Sequence, residues 1–167
     1  RLNIDKTKSF TLETRLGNKS ADVPAVEDRN FRYTFFETEP TVNFQLERNL
    51  RLSASYRYRN RLASDQPLGP VRVVSHRASL NSRLNFKQRN SLSARLELVS
   101  LTQTGEANPT ADFELKEALQ PGINGIWQIQ ATWMLVNNLE FTIVYDGRAT
   151  ASSPTIHTGR VGVQAFF

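Results

Sequence analysis

An apolar residue at every second position, sustained through one stretch after another, is the feature that most narrows what this chain can fold into. In "NLRLSASYRYR" Leu50, Leu52, Ala54, Tyr56 and Tyr58 fall on one side, and Arg51, Ser53, Ser55, Arg57 and Arg59 on the other. "SLSARLEL" sets Leu92, Ala94, Leu96 and Leu98 against Ser93, Arg95 and Glu97. "WQIQATWML" sets Trp127, Ile129, Ala131, Trp133 and Leu135 against Gln128, Gln130 and Thr132, and "LEFTIVYD" sets Leu139, Phe141, Ile143 and Tyr145 against Glu140, Thr142, Val144 and Asp146. Period two is the side-chain repeat of a strand with one apolar and one polar face. Helical spacing is hard to find.

The connections alternate too. Tight turns are expected at Glu47-Arg48-Asn49, at 87–90 and at Val136-Asn137-Asn138, each flanked by apolar residues in phase. Longer joints, holding most of the Gly, Pro, Ser, Asn and Asp, are expected at 17–30, 60–70, 102–125 and 147–155. About eight strands lie between them, at 9–16, 31–46, 50–59, 71–86, 91–101, 126–135, 139–146 and 156–167. Matching like faces across the turns pairs Leu135 with Leu139, Trp133 with Phe141, Ala131 with Ile143 and Gln128 with Asp146. Around Arg48 it pairs Leu46 with Leu50, Phe44 with Leu52 and Val42 with Ala54. The second strand changes phase between Phe31, Tyr33, Phe35 and Val42, Phe44, Leu46, which predicts a bulge at Pro40.

At 167 residues the chain is expected to form one domain over 1–167, and Arg1 opens no basic, apolar leader, as in a mature product or a portion of a longer chain. No run approaches the ~18 apolar residues of a helical membrane span. The absence of cysteine excludes disulfides, thiolate metal sites and a cysteine nucleophile. The net charge of +5 comes almost entirely from arginine. Those arginines alternate with serines inside the strand pattern and form no exposed stripe, which argues against nucleic acid.

The same alternation describes two opposite objects: a water-soluble sandwich or barrel with the apolar face inside, and a membrane barrel with that face against lipid. Long strands, lopsided connections and aromatics near strand ends favour the second. The expectation is an all-β, antiparallel up-and-down transmembrane β-barrel of about eight strands. Tyr56, Tyr58, Trp127, Trp133, Tyr145 and Phe167 are its expected interface aromatics. The inward arginines Arg15, Arg51, Arg57, Arg77, Arg83, Arg95 and Arg160 are expected to form a lumen charge network with Glu13, Glu97, Glu140 and Asp146, with Arg83 opposite Arg95. A basic lumen in a wider barrel would instead make an anion-preferring pore.

The chain ends "VGVQAFF", with Val161, Val163, Ala165 and Phe167 in one row. This resembles the C-terminal signature of bacterial outer-membrane β-barrel proteins, which the membrane-insertion machinery reads. The resemblance implies an outer-membrane location, periplasmic termini, and membrane lipid and the insertion machinery as partners. The run from Leu119 to Phe167, with "LQPG", "YDGR" and "IHTGR", is similar to the C-terminal segment of long outer-membrane proteins of Bacteroidota-type bacteria. That similarity implies the closing strands of a larger barrel.

Chemistry is sparse. His76 and His157 are the only histidines and have no metal-ligand spacing, so no metal or cofactor is expected. His157 with Ser152 or Ser153 and Asp146 is the one conceivable nucleophile set, but Ser and Thr beside Pro154 read more simply as turn formers. The chain is expected not to be an enzyme. "DFELKEAL" reads as a short helix or as an extension of the next strand. The expected role is a membrane anchor presenting long surface loops, on its own or with other outer-membrane or surface proteins. A soluble ligand-binding barrel is the rival reading.

Overall fold

The computed structural model describes residues 2–5, 7–21, 30–66, 69–86, 89–136 and 138–166. Along the described chain run β1 (Leu2–Asn3), β2 (Lys8–Ala21), β3 (Phe31–Gln45), β4 (Leu50–Ala63), β5 (Val71–Phe86), β6 (Asn90–Thr104), α1 (Pro109–Lys116), β7 (Gly122–Val136), β8 (Leu139–Thr150) and β9 (Ser153–Ala165). Each strand pairs antiparallel with the next, giving an all-β, up-and-down sheet of eight long strands preceded by one of two residues. The order runs in a line from β1 to β9, and among the described residues no ladder joins β9 back to β2. Among the described residues no helix is long and apolar enough to cross a membrane, which leaves strand crossing open.

The registers follow the matching of like faces. Phe44 lies opposite Leu52, Val42 opposite Ala54, Trp133 opposite Phe141, Ala131 opposite Ile143 and Gln128 opposite Asp146. A shift between Met134 and Val136 sets Val136, instead of the expected Leu135, opposite Leu139.

Three further expectations are corrected. First, the strands outrun their apolar alternation: β2 reaches Ala21, β4 Ala63, β6 Thr104 and β8 Thr150, while β7 and β9 begin at Gly122 and Ser153. The expected joint at 147–155 shrinks to a turn at Ala151 and Ser152. Ladder hydrogen bonds are made by the backbone and do not require apolar side chains. In these extensions and the strand segments paired with them the outward row is mostly polar, with Asn18, Arg32, Thr34, Asn60, Arg72, Ser100 and Thr102, so alternation fades while pairing continues.

Second, β3 carries no bulge. Its pairing with β2 runs unshifted from Phe44 opposite Lys8 to Phe31 opposite Ala21, and its pairing with β4 keeps one register on both sides of Pro40. The change of apolar phase has a different cause: Phe31, Tyr33 and Phe35 share the face of Glu37 and pack into a local core there. Third, across β6 Arg83 lies opposite Ser93 and Arg95 opposite Asn81, so the two arginines do not face each other; on its other side, across β4, Arg83 faces Arg51.

The "DFELKEAL" segment resolves as helix. Asn108 caps α1, its Oδ1 accepting from the Ala111 N–H at 2.7 Å, and Pro109 follows in the first turn, where its missing N–H is harmless. Glu117 and Ala118 end it in the left-handed conformation, with φ of 56° and 57°. Tyr33, Ala63, Val71, Val73, Val99, Leu101, Leu115 and Leu119 form the buried core. That core lies between α1 and one end of the sheet's polar face, at the end opposite the tight turns.

Candidate functional site

The two faces of the sheet differ in the sense opposite to a water-soluble sandwich. The side chains of Glu37 and Glu97 are only 6% and 5% exposed and that of Arg61 only 9%. On the other face Leu80 is 48% exposed, Leu98 52% and Val161 67%. Beneath α1 charge is covered while hydrocarbon on the opposite face is bare; away from the helix Arg15, Arg95 and Arg160 stand open at 62%, 58% and 65%.

The covered face is concave, because one helical segment is grasped by side chains from strands far apart in the sheet. Lys19 on β2 meets Glu114 at 2.6 Å, and Arg61 on β4 donates to the Glu114 carbonyl at 3.0 Å. Arg77 on β5 reaches Glu117 at 2.8 Å, Gln103 on β6 donates to Asp112 at 2.9 Å, and Arg148 on β8 donates to the Ala118 carbonyl at 2.7 Å. Arg59 and Arg61 also bond the Glu117 carboxylate. Strands from β2 to β8 therefore curl around α1, which plugs the end opposite the tight turns.

Beneath the plug lies a ladder of ion pairs. Arg57 contacts Glu39 at 2.6 Å and Glu37 at 3.7 Å, Arg59 bonds Glu37, and Arg77 approaches Glu97 at 3.6 Å. Arg57 and Arg77 are directly opposite on β4 and β5, a repulsive pairing offset by these flanking carboxylates. Towards the tight turns the face opens into a cavity of about 840 Å³, lined by Lys8, Ser53, Asn81, Arg51, Arg83 and Arg95 among others. At its rim the Asp5 carboxylate accepts hydrogen bonds from the Thr7 hydroxyl and amide, which hold its pKa below the usual carboxylate value.

The convex face carries paired aromatics. Tyr56 meets His76 Nδ1 at 2.6 Å, with the Tyr58 ring 5.3 Å from that imidazole. Tyr145 meets His157 Nδ1 at 2.7 Å, with the Trp127 ring 5.9 Å away. The two clusters sit at similar distances from the tight turns, and Trp133 packs beside Phe141 close to them.

The expected charge set shares the concave face but is only partly joined. Arg15 pairs with Glu13 at 2.6 Å, Arg160 with Asp146 at 2.8 Å, and Arg95 donates to Glu97 at 2.8 Å. Arg51 bonds Gln45 and Arg83 bonds Asn85, and among the described residues neither they nor Glu140 makes an ion pair. Val161, Val163 and Ala165 lie in one exposed row on β9, and Phe167 is outside the described residues. His157 is outward and Asp146 inward, so the structure does not assemble the conceivable nucleophile set. No group of residues suited to holding a metal occurs among the described residues.

Sequence reasoning missed Glu37, Arg59, Arg61, Glu114 and Glu117. Arg59 was placed on the polar row but not in the charge network, and Arg61 continues that odd-numbered row beyond where the strand was expected to stop. Glu37 is likewise in phase with Phe35 once no bulge is assumed. Glu114 and Glu117 belong to the helix, and nothing local marks them as partners of distant arginines. Comparison with protein-family models, curated proteins and solved structures finds no match to this chain.

Proposed function

We propose that this chain is a bacterial outer-membrane β-barrel unit that anchors in lipid through its convex face and presents its α1-bearing end for interaction. The observation that carries this reading is the inverted partition: leucines, valines and aromatics bare on the convex face, with Glu37, Arg59, Arg61 and Glu97 covered on the concave one. Water-soluble monomers seldom leave an apolar patch of more than several hundred Å², whereas an outer-membrane barrel needs one.

Dimensions agree. The outward row from Leu50 to Tyr58 spans about 27 Å along the strand at about 3.4 Å per residue. At a tilt of about 40° that becomes about 21 Å, close to the band of about 25 Å in transmembrane barrels. The Tyr56–His76 and Tyr145–His157 clusters bound the row on one side and polar strand extensions stand beyond them, as expected where strands leave the bilayer. In this orientation the tight turns are periplasmic, and lipid and the insertion machinery are partners of the β9 row.

Membrane fractionation with heat-modifiable gel migration tests the reading. The folded protein is expected in the membrane fraction, extracted only by detergent, with a migration shift on boiling. A protein that remains soluble and monomeric without detergent would refute it.

A further inference from the structure

The cavity at the tight-turn end of the concave face is built differently from the ion-pair ladder beneath α1. Two rows of side chains cross its floor. Arg51 on β4, Arg83 on β5 and Ser93 on β6 stand side by side in one, and Ser53, Asn81 and Arg95 in the next. From β3 to β7 neither row holds a carboxylate, and each row ends at both sides in Asn or Gln. Every side chain in this patch is a hydrogen-bond donor.

The carboxylates that border the patch are already engaged. Glu97 in the adjoining row holds Arg95 and Arg77, and Asp146 on β8 holds Gln128 and Arg160. Asp5, the one acid among the described residues that line the cavity, holds the Thr7 hydroxyl and amide. Arg51 and Arg83 are left with amides: Arg51 Nε donates to Gln45 at 2.8 Å and Arg83 Nε to Asn85 at 3.3 Å. Among the described residues the terminal nitrogens of both guanidiniums have no protein partner. Directly opposite residues on neighbouring strands have Cβ atoms about 4.5–5.5 Å apart, so the two cations lie within reach of one anion. Guanidinium forks match phosphate oxygens pairwise, and a shared phosphate converts their mutual repulsion into attraction on both sides.

We propose that this cavity binds a small phosphorylated, hydroxyl-rich solute, a sugar phosphate in class, with the phosphate between Arg51 and Arg83 and the hydroxyls on Ser53, Asn81 and Ser93. Its volume of about 840 Å³ is that of a small-molecule site and more than a bare phosphate fills. No aromatic ring stands in either row, so a nucleobase would find nothing to stack on. The ladder and α1 close the opposite end, so the solute enters and leaves by the tight-turn side. Only the compartment, periplasmic in the membrane reading above, rests on that reading; the binding chemistry does not.

Titration calorimetry of the full folded protein in detergent at low salt tests this, with glucose 6-phosphate, inorganic phosphate and glucose as probes. Glucose 6-phosphate is expected to bind saturably, inorganic phosphate about tenfold more weakly and glucose not at all, the scale of one lost charge-assisted hydrogen bond or more. Arg51→Gln/Arg83→Gln is expected to weaken glucose 6-phosphate by about tenfold or more. Arg72→Gln, which removes the same kind of charge from the convex face, is expected to leave it unchanged. Ser53→Ala, which keeps both arginines, is expected to narrow the gap between glucose 6-phosphate and inorganic phosphate. No saturable binding, or an equal loss in Arg72→Gln, overturns the site, and inorganic phosphate binding as tightly as glucose 6-phosphate overturns the sugar. A steady anion current across planar bilayers overturns the closed end. Protein that passes the fractionation test yet binds no probe overturns this inference alone, whereas binding by protein that stays soluble without detergent supports the site and defeats the membrane reading.

Discussion

Glu117, the residue that ends α1, lies 2.8 Å from Arg77 on β5 and so ties the plug to the floor of the concave face. The same carboxylate bonds Arg59 and Arg61 on β4, the second of which is almost fully covered. One acid thereby bridges three arginines that would otherwise repel, with Glu37 and Glu97 supplying the further negative charge at Arg59 and Arg77. Replacing Glu117 with Ala is expected to destabilise the fold by about 1–3 kcal/mol, less than the ~3–5 of a fully buried pair because the carboxylate is partly open to water. Limited proteolysis should show new cleavage around 105–121 before the sheet unfolds, and an unchanged digestion pattern would count against the clasp.

Leu80 sits in the middle of the convex face, between Ala54 and Leu96 on the neighbouring strands. If that face meets lipid, Leu80→Arg is expected to cost about 2–4 kcal/mol and impair insertion. On a water-facing sheet the same change would fall within about 0.5 kcal/mol. Urea titration of the protein folded into vesicles distinguishes the two.

Much of the fold was legible because backbone pairing and alternation coincide over the apolar band. Trp133 against Phe141 and Phe44 against Leu52 needed only the demand that one face stay apolar. Legibility failed where the environment changes along a strand. Phe31, Tyr33 and Phe35 turn the concave face apolar because α1 covers it, and a helix arriving from about eighty residues away leaves no local trace in β3. The charge network was half visible for the same reason: Arg57 and Arg77 could be placed by parity, but Glu117 could not.

Gly147 lies directly opposite Trp127, and the indole covers the glycine so closely that a Cβ there would overlap the ring. Gly147→Ala should therefore expel the indole from its site and break its contact with His157, with a stability loss of about 0.5–1.5 kcal/mol from the ring pair. Tryptophan emission should shift, with Trp133→Phe as the background that isolates Trp127. Unaltered emission would show that the ring does not rest on the glycine.

Arg51 and Arg83 form the second arginine rung between β4 and β5, and unlike Arg57 and Arg77 their partners among the described residues are the amides of Gln45 and Asn85. Like charges directly opposite cost roughly 0.2–1 kcal/mol, and both side chains face the open cavity, where salt screens them. Arg83→Gln is therefore expected to stabilise the protein by about 0.5 kcal/mol at low ionic strength. The gain should fade near 1 M salt, where the screening length falls to about 3 Å. Arg77→Gln should do the reverse, because it strips Glu97 and Glu117 of a cation at a covered site. Denaturant midpoints for both variants, at low and high salt, would show opposite signs, and equal signs would mean that the carboxylates around the inner rung do not determine its stability.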